Sequence, residues 1–390
     1  MSCPKRALRL TKSFFMNIKT SQQIKNSKTI IQHWLCAVRG AADIKSVEGE
    51  LKSSYAPNLL SVVFTRRCVF QCRHCFYPPD AFEGNINTIQ SCLKKILKRP
   101  KIKIDALLHA GRIFLPAHLK ALQFAKGKGL KIGMIDNGNY VANIDKIKEA
   151  EVRFDWMDIS VDGTKKIHNL QRANPAAYTI AYNGIKRSSE VAEQVNVLLT
   201  ASKINYKNIP SAIEAMRDDK NLKINRFIIG LVNAPDARPA GDIKKLEINA
   251  AEFGILLNKL KRLDVPVSLS FYRATDFLKF LDSERISEYS IEFDNIQIIY
   301  RHKKFPIVVG YTPESLAVAE ELIIDSNGEY VLPYSGQFKI ADMPKKYKSG
   351  SDLSRVPIEK AYKKAIDRYF QVLGYKKLKN EIKLLRGREF

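Results

Sequence analysis

Short apolar runs alternate with longer amphipathic stretches along most of the chain. Apolar, β-branched runs of four to eight residues are typical of buried strands, whereas apolar residues that recur every three or four positions predict helices. The first such run, 59–64, follows Pro57 and predicts a buried strand. Further strands are predicted at 104–108, 131–135, 156–161, 194–200 and 226–232, and helices at 86–97, 115–126, 144–149, 176–188, 209–217 and 248–263.

This order gives six consecutive βα units, which indicate an α/β fold with a parallel sheet covered by helices. Six units favour an open, partial (β/α)6 TIM-like barrel over a closed eight-fold barrel. We expect residues 57–263 to form this core, 1–56 a basic helical N-terminal segment, and 264–390 a small α+β C-terminal extension. In that extension, the Asn327-Gly328 pair predicts a hairpin over 322–332, and 357–385 is predicted to be helical.

The composition is that of an ordinary globular protein, with 45% hydrophobic residues among 390. No apolar run is long enough to span a membrane, and the basic N-terminus lacks the apolar stretch of a secretory signal. We therefore expect a cytoplasmic protein with no membrane span.

The net charge of +25 suggests an anionic partner such as nucleic acid. Most lysines are nevertheless spread along predicted helices without interleaved aromatic residues, which favours solvated helix faces. The charge therefore allows a nucleic-acid partner but does not favour one.

Three cysteines, Cys68, Cys72 and Cys75, follow the first predicted strand in a Cys-x3-Cys-x2-Cys pattern. Three thiolates at this spacing can hold three corners of a 4Fe–4S cluster, which normally takes four cysteine ligands. One iron would then be open to a substrate or cofactor. A zinc site completed by His74 and a disulfide framework are the alternatives. Zinc more often binds two separated pairs of ligands, and disulfide frameworks belong to short secreted chains, so the cluster is favoured.

The cysteine pattern resembles that of the radical S-adenosylmethionine (radical SAM) enzymes. The resemblance implies that Cys68, Cys72 and Cys75 are the metal ligands and the catalytic residues, and that S-adenosyl-L-methionine (SAM) is the second cofactor. It also implies an external one-electron donor of the flavodoxin or ferredoxin type.

The resemblance extends to the ends of the next predicted strands. Where the family has Gly-Gly-Glu beside the SAM amino group, this chain has Ala110-Gly111-Arg112, and the arginine reverses the charge. Asn137 stands where the family often has an asparagine near the ribose, and Tyr77 would lie near the adenine.

A serine and an arginine twelve residues later bind SAM in the peptide- and sulfatase-modifying branch, and Ser160 and Arg172 have that spacing. A guanidinium suits bidentate binding of the SAM carboxylate. Each residue also has an ordinary interpretation: Ser160 could cap a helix, Arg172 could be a surface charge, and Tyr77 could simply pack.

Residues 321–342 are weakly similar to the SPASM or twitch extension of peptide-modifying members, so the resemblance implies a peptide or protein substrate. Tyr334 stands where that extension has a cysteine, and no cysteine follows Cys92, which excludes cysteine-ligated auxiliary clusters there. Two alternatives stay open: a radical SAM enzyme that modifies RNA or another anionic substrate, and a cluster-binding protein with altered catalysis, which Arg112 motivates.

Overall fold

The computed structural model describes residues 57–75, 83–98, 104–110, 114–232, 241–294, 297–312, 321–326 and 330–331. The predicted helical segments at 1–56 and 357–385 lie outside these residues, as do Tyr77, Gly111 and Arg112.

One twelve-stranded sheet organises the described part of the chain. Its strands are β1 (Leu59–Val62), β2 (Ala106–His109), β3 (Lys131–Asp136), β4 (Phe154–Ser160), β5 (Ala192–Ala201), β6 (Arg226–Leu231), β7 (Val267–Phe271), β8 (Tyr289–Asp294), β9 (Gln297–His302), β10 (Ile307–Tyr311), β11 (Glu321–Ile324) and β12 (Tyr330–Val331). Their order across the sheet is β12-β11-β1-β2-β3-β4-β5-β6-β7-β10-β9-β8.

The strands from β11 through β10 in this order are all parallel, and the antiparallel strands β12, β9 and β8 stand at the two ends. Because β12 and β8 pair on one side only, the described sheet is open. The predicted α/β partial barrel is therefore confirmed. The sheet is longer than six units, since β7, β10 and β11 extend the parallel run with residues beyond 263. The domain boundary at 263 stays a prediction.

Helices follow most of the parallel strands. They are α1 (Ile86–Leu97), α2 (Leu119–Lys126), α3 (Ile144–Glu149), α4 (Lys165–Arg172), α5 (Ala177–Ser188), α6 (Ile209–Asp218), α7 (Gly241–Lys245), α8 (Ala250–Leu260) and α9 (Ala274–Ser283), with 3-10 turns at Pro116–His118, Asn139–Asn143 and Ile286–Glu288. Asn85 caps α1 by accepting the N–H groups of Asn87 and Thr88, and Asn249 forms a capping box with Glu252 at α8. None of the described helices combines the length and apolarity that crossing a bilayer requires.

The two faces of the sheet differ in polarity. Ile159, Val197 and Phe227, on three neighbouring strands, lie in the apolar core. The next residues toward the N-terminus of each strand point to the opposite, inner face, because successive strand residues alternate sides. The inner face is polar at that level, with Asp158, Asn196 and Arg226 in register.

The hairpin prediction is confirmed by β11 and β12, which pair antiparallel through Ile323–Val331 and Ile324–Tyr330. Among the helices, α4, α7 and α9 were not predicted. Helix α4 escapes periodicity arguments because its buried side chains are His168, Gln171 and Arg172, which are all polar.

Candidate functional site

The cysteine loop lies at the carboxyl end of β1, where ligands bind in parallel α/β folds. Phe70, 2% exposed, anchors the loop in the protein interior, whereas all three cysteines are half-buried. The Cys75 N–H donates to the Cys72 carbonyl over 3.0 Å, which closes a tight turn. The Arg73 N–H donates to the Gln171 carbonyl over 2.9 Å, which ties the loop to the end of α4.

The spacing of the thiols discriminates between the metal centres that the sequence allows. A tetrahedral zinc ion with Zn–S bonds of about 2.3 Å would bring its sulfurs to about 3.8 Å from one another. Among the described residues, the three ligand atoms that lie within 4.8 Å of one another belong to Glu284, Glu288 and His302, not to the cysteines. The three cysteine sulfurs therefore do not all stand at the close spacing of a formed zinc site.

Polar donors point at two of the three sulfurs. The Asn137 side chain, at the end of β3, places Nδ2 3.8 Å from the Cys68 Sγ. The Arg172 Nη1 lies 3.7 Å from the Cys72 Sγ. Hydrogen bonds to the ligating sulfurs are one of the ways in which proteins tune iron–sulfur clusters. The donor set therefore fits a cluster held by thiolates.

Arg172 is fixed by a buried carboxylate. Its Nε donates to Asp162 Oδ2 over 2.5 Å, and both side chains are nearly buried, at 11% and 0% exposure. Burial alone would raise the pKa of Asp162, but Arg172 and two nearby histidines outweigh it and hold this pKa below its usual range. Burial alone would lower the pKa of Arg172, but Asp162 and Cys72 outweigh this effect and raise the pKa above its usual value. Arg172 is thus a permanent cation beside Cys72.

The pKa of the Cys72 thiol is raised, because the effect of burial outweighs the opposing effect of Arg172. A thiol must be deprotonated to bind metal, so metal binding at Cys72 would release a proton. The positive charge of Arg172 lowers the cost of that step.

A network of hydrogen bonds holds Asp162 and α4 in place. The Thr200 N–H donates to Asp162 Oδ1 over 2.8 Å, and the Asp162 N–H donates to His168 Nδ1 over 2.9 Å. Asn205 Nδ2 donates to the Asp162 carbonyl over 2.7 Å. Asp162 is not among the residues that the sequence singled out. The signal that could have found it is the polar helix that follows, which needs a buried counter-charge for Arg172.

Asn137 is held in an exacting turn. Gly138 has φ +98°, and a Cβ there would lie 2.4 Å from the Ile180 carbonyl oxygen of α5, so only glycine fits. The buried Asp136 carboxyl accepts the Gly138 N–H over 2.6 Å, and burial raises its pKa to about 7. The Asn137-Gly138 pair is therefore a structural turn that also delivers an amide to Cys68.

The structure brings together Cys68, Cys72, Asn137 and Arg172. Ser160, 7% exposed, ends β4 two residues before Asp162, and Ala110 follows β2 with its N–H bonded to the Val62 carbonyl over 3.1 Å. The SAM contacts predicted for these residues, and for Tyr77, Gly111 and Arg112 outside the described ranges, stay predictions.

The close group of Glu284, Glu288 and His302 has a structural explanation. Lys261 Nζ lies 2.6 Å from Glu284 Oε2, and the Tyr289 hydroxyl donates to the same oxygen over 2.8 Å. His302 Nδ1 accepts the N–H of Lys304 over 3.0 Å, so its proton sits on Nε2, which faces Glu288 at 3.4 Å. A protonated nitrogen cannot ligate a metal, and we assign this group to packing at the edge of the sheet.

Comparisons with known proteins give likenesses to part of the chain in sequence and to its fold. No family model matches the chain. It is similar to Fe-coproporphyrin III synthase from Methanosarcina barkeri, with 24% identity over 168 residues that cover 40% of each chain. It is also similar to pre-heme d1 synthase from Dinoroseobacter shibae, with 26% identity over 159 residues, or 40% of this chain and 39% of the relative. The chain thus spans about two fifths of the length of the curated relatives it matches.

Among solved structures, the fold is similar to Streptococcus suis SuiB bound to precursor peptide SuiA, with a TM-score of 0.50, 15% identity, and coverage of 74% of this chain and 64% of SuiB. At that identity the likeness speaks for the fold alone. The cysteine motif and the open parallel sheet agree with the resemblance of the chain to the radical SAM enzymes.

Proposed function

We propose that this protein is a radical SAM enzyme in which Cys68, Cys72 and Cys75 hold one 4Fe–4S cluster with an open iron beside a bound SAM. The observation that carries the proposal is the arrangement of Arg172 and Asn137 around the cysteine sulfurs at the carboxyl ends of parallel strands. When bound and reduced, such a cluster cleaves SAM to methionine and a 5′-deoxyadenosyl radical that abstracts hydrogen from the substrate. The electron would come from an external flavodoxin or ferredoxin.

Arg172 can serve both the cluster and SAM. A guanidinium has five N–H donors. The bonds to Asp162 and Cys72 use two of them, through Nε and Nη1. The others can bind the SAM carboxylate, as the resemblance of Ser160 and Arg172 to the family pattern implies. Asp162 orients the guanidinium and keeps it charged.

The substrate class has two candidates. A peptide is supported by the hairpin at β11–β12 and by the likeness of the fold to a peptide-bound protein. A porphyrin-type substrate is supported by the names of the two curated relatives, which are similar to 40% of this chain. An RNA substrate rests on net charge alone, and absence of RNA retention at low salt would remove it.

The test of the proposal is the formation of 5′-deoxyadenosine by anaerobically reconstituted protein with dithionite and SAM. We expect the wild-type protein and the control variant Cys92→Ala, whose cysteine lies in α1, to form it. Cys72→Ala should lose both the product and the cluster absorbance near 400 nm. A full cluster without product would favour the altered-catalysis alternative, and a normal cluster in Cys72→Ala would refute the ligand assignment.

A further inference from the structure

Exposed apolar side chains flank the cysteine loop. Among the described residues, the large hydrophobic side chains that stand out as exposed are Val69 at 48%, Leu170 at 43% and Ile255 at 43%. Val69 directly follows Cys68, and Leu170 lies on α4, whereas Ile255 lies on α8. Since apolar side chains exposed singly are common on protein surfaces, the question is whether Val69 and Leu170 share one surface.

Two hydrogen bonds bring the residues around Val69 and Leu170 together. Asn174 Nδ2, just beyond the end of α4, donates to the Val69 carbonyl over 3.4 Å. The Arg73 N–H donates to the carbonyl of Gln171, the residue after Leu170, over 2.9 Å. The cysteine loop is therefore fastened along the C-terminal end of α4, and the two exposed apolar side chains belong to neighbouring stretches of backbone.

The exposed side of α4 lies opposite the side that supports the candidate site. His168 and Arg172 are buried beside Asp162 and Cys72, whereas Lys166 and Leu170, four residues apart on one helix face, are exposed. A partner that binds on the exposed side is therefore close to the cysteine loop without entering the space where SAM and substrate are expected.

This surface carries an excess of positive charge. Arg73 and Lys166 are exposed and have no ion pair among the described residues, whereas Arg67 is balanced by Glu83 at 2.9 Å. Apolar contacts beside unbalanced cations suit an acidic partner, because complementary charge speeds the encounter and disfavours wrong partners. The two apolar side chains and the two unbalanced cations define a loop–helix patch, which consists of Val69, Leu170, Arg73 and Lys166.

We propose that the loop–helix patch is the docking site of an acidic flavodoxin that delivers the electron to the cluster. This inference rests on the proposed function and names where its electron enters. The edge of a flavin ring is apolar and can rest on Val69 and Leu170, while acidic residues of the flavodoxin face Arg73 and Lys166. In this step the flavodoxin is oxidised by one electron and the cluster is reduced by one. A small patch is sufficient, because electron-transfer encounters bury less than about 1,200 Å².

Binding of an oxidised bacterial flavodoxin to the cluster-loaded protein, without SAM or reductant, tests the site directly. We expect Leu170→Glu to weaken binding about tenfold, because it places a carboxylate in the apolar centre of the contact. Ile255→Glu makes the same change at the same exposure on α8 and should bind as the wild type does. Lys166→Gln should weaken binding about threefold and reduce its dependence on salt. Circular dichroism and the cluster absorbance check that each variant is folded and loaded.

The rate of cluster reduction separates docking from damage to the site. With reduced flavodoxin, Leu170→Glu should slow the appearance of the reduced-cluster electron paramagnetic resonance signal about tenfold, in line with its weaker binding. Dithionite is a small molecule that needs no docking site, so it should reduce the wild-type protein and the variant equally.

Three results would overturn the assignment: no binding of flavodoxin to the wild-type protein, even where a ferredoxin binds; wild-type affinity in Leu170→Glu; and equal losses in Leu170→Glu and Ile255→Glu. None of these measurements requires SAM cleavage. A protein that docks flavodoxin at the patch but forms no 5′-deoxyadenosine would therefore support the docking site and contradict only the proposed catalysis.

Discussion

Two buried ion pairs in this protein look alike and do different work. Asp162 with Arg172 and Glu284 with Lys261 each bury an acid to 2% exposure or less beside a cation at 2.5–2.6 Å. The difference lies in the third partner. Arg172 also contacts the Cys72 sulfur, whereas Glu284 also accepts a hydrogen bond from the Tyr289 hydroxyl. A buried ion pair is therefore not by itself a mark of function, and what its remaining donors face decides its role.

The largest effect is expected from Asp162→Asn. It leaves Arg172 as a buried cation without its carboxylate, and breaking a buried pair in this way costs about 4 kcal/mol. Because Asp162 also orients Arg172 against Cys72, 5′-deoxyadenosine formation should fall by about 100-fold. Urea unfolding and product assays on the same reconstituted sample check both effects. Loss of stability with an unchanged rate would make Asp162 a structural residue only.

Glu284→Gln is the matched change in the second pair. It should lower the free energy of unfolding by about 3 kcal/mol, because Lys261 loses its counter-charge while the bond from Tyr289 can persist. Iron content and the rate per cluster should equal those of the wild type. A reduced rate per cluster would abolish the contrast between the two pairs.

A buried pair of neutral histidines adds a pH-dependent contrast to the two ion pairs. His109 Nε2 and His118 Nδ1 are 2.9 Å apart, stacked among Phe64 and Phe114. Burial lowers the pKa of His109 to about 4 and that of His118 to about 2. As the pH falls below about 6.5, both histidines therefore bind protons in the unfolded chain but stay neutral in the folded protein. Stability should thus fall with acidification, by about 2 kcal/mol per histidine between pH 7 and pH 5.

His118→Asn removes one of these two titrating groups. In the wild type, His118 Nδ1 accepts the Leu115 N–H over 3.3 Å, and the amide oxygen of the new side chain can still accept it. The dependence of the urea-unfolding free energy on pH should flatten by about one proton relative to the wild type. Equal slopes in the two proteins would mean that His118 is not held neutral by burial.

The smallest effect is expected from Arg172→Lys, which keeps the positive charge but loses the planar set of N–H donors of the guanidinium. A lysine cannot hold Asp162 and face Cys72 with two separate nitrogens, so we expect a tenfold lower rate of SAM cleavage, about 1.4 kcal/mol. The midpoint potential of the cluster, measured by redox titration, should shift with it. An unchanged potential and rate would show that charge alone matters at this position.

The sequence predicts the frame of this site better than its interior. The three cysteines can be found from their spacing, Asn137 and Arg172 from the family resemblance, and the order of strands and helices from periodicity. The pairing of Arg172 with Asp162 cannot, because it depends on α4, a helix that buries polar side chains and so lacks an apolar stripe. The polar row across three strands is hidden for another reason: Asp158, Asn196 and Arg226 become neighbours only through strand register, which no local pattern encodes.

The most direct test of the central claim is the electron paramagnetic resonance spectrum of the dithionite-reduced, cluster-loaded protein before and after SAM is added. Three cysteines leave one iron open, so we predict that SAM changes the spectrum, and that the variant with Asp162→Asn shows a smaller change at the same SAM concentration. A spectrum that SAM leaves unaltered in the wild-type protein, with the cluster fully reduced, would contradict the account.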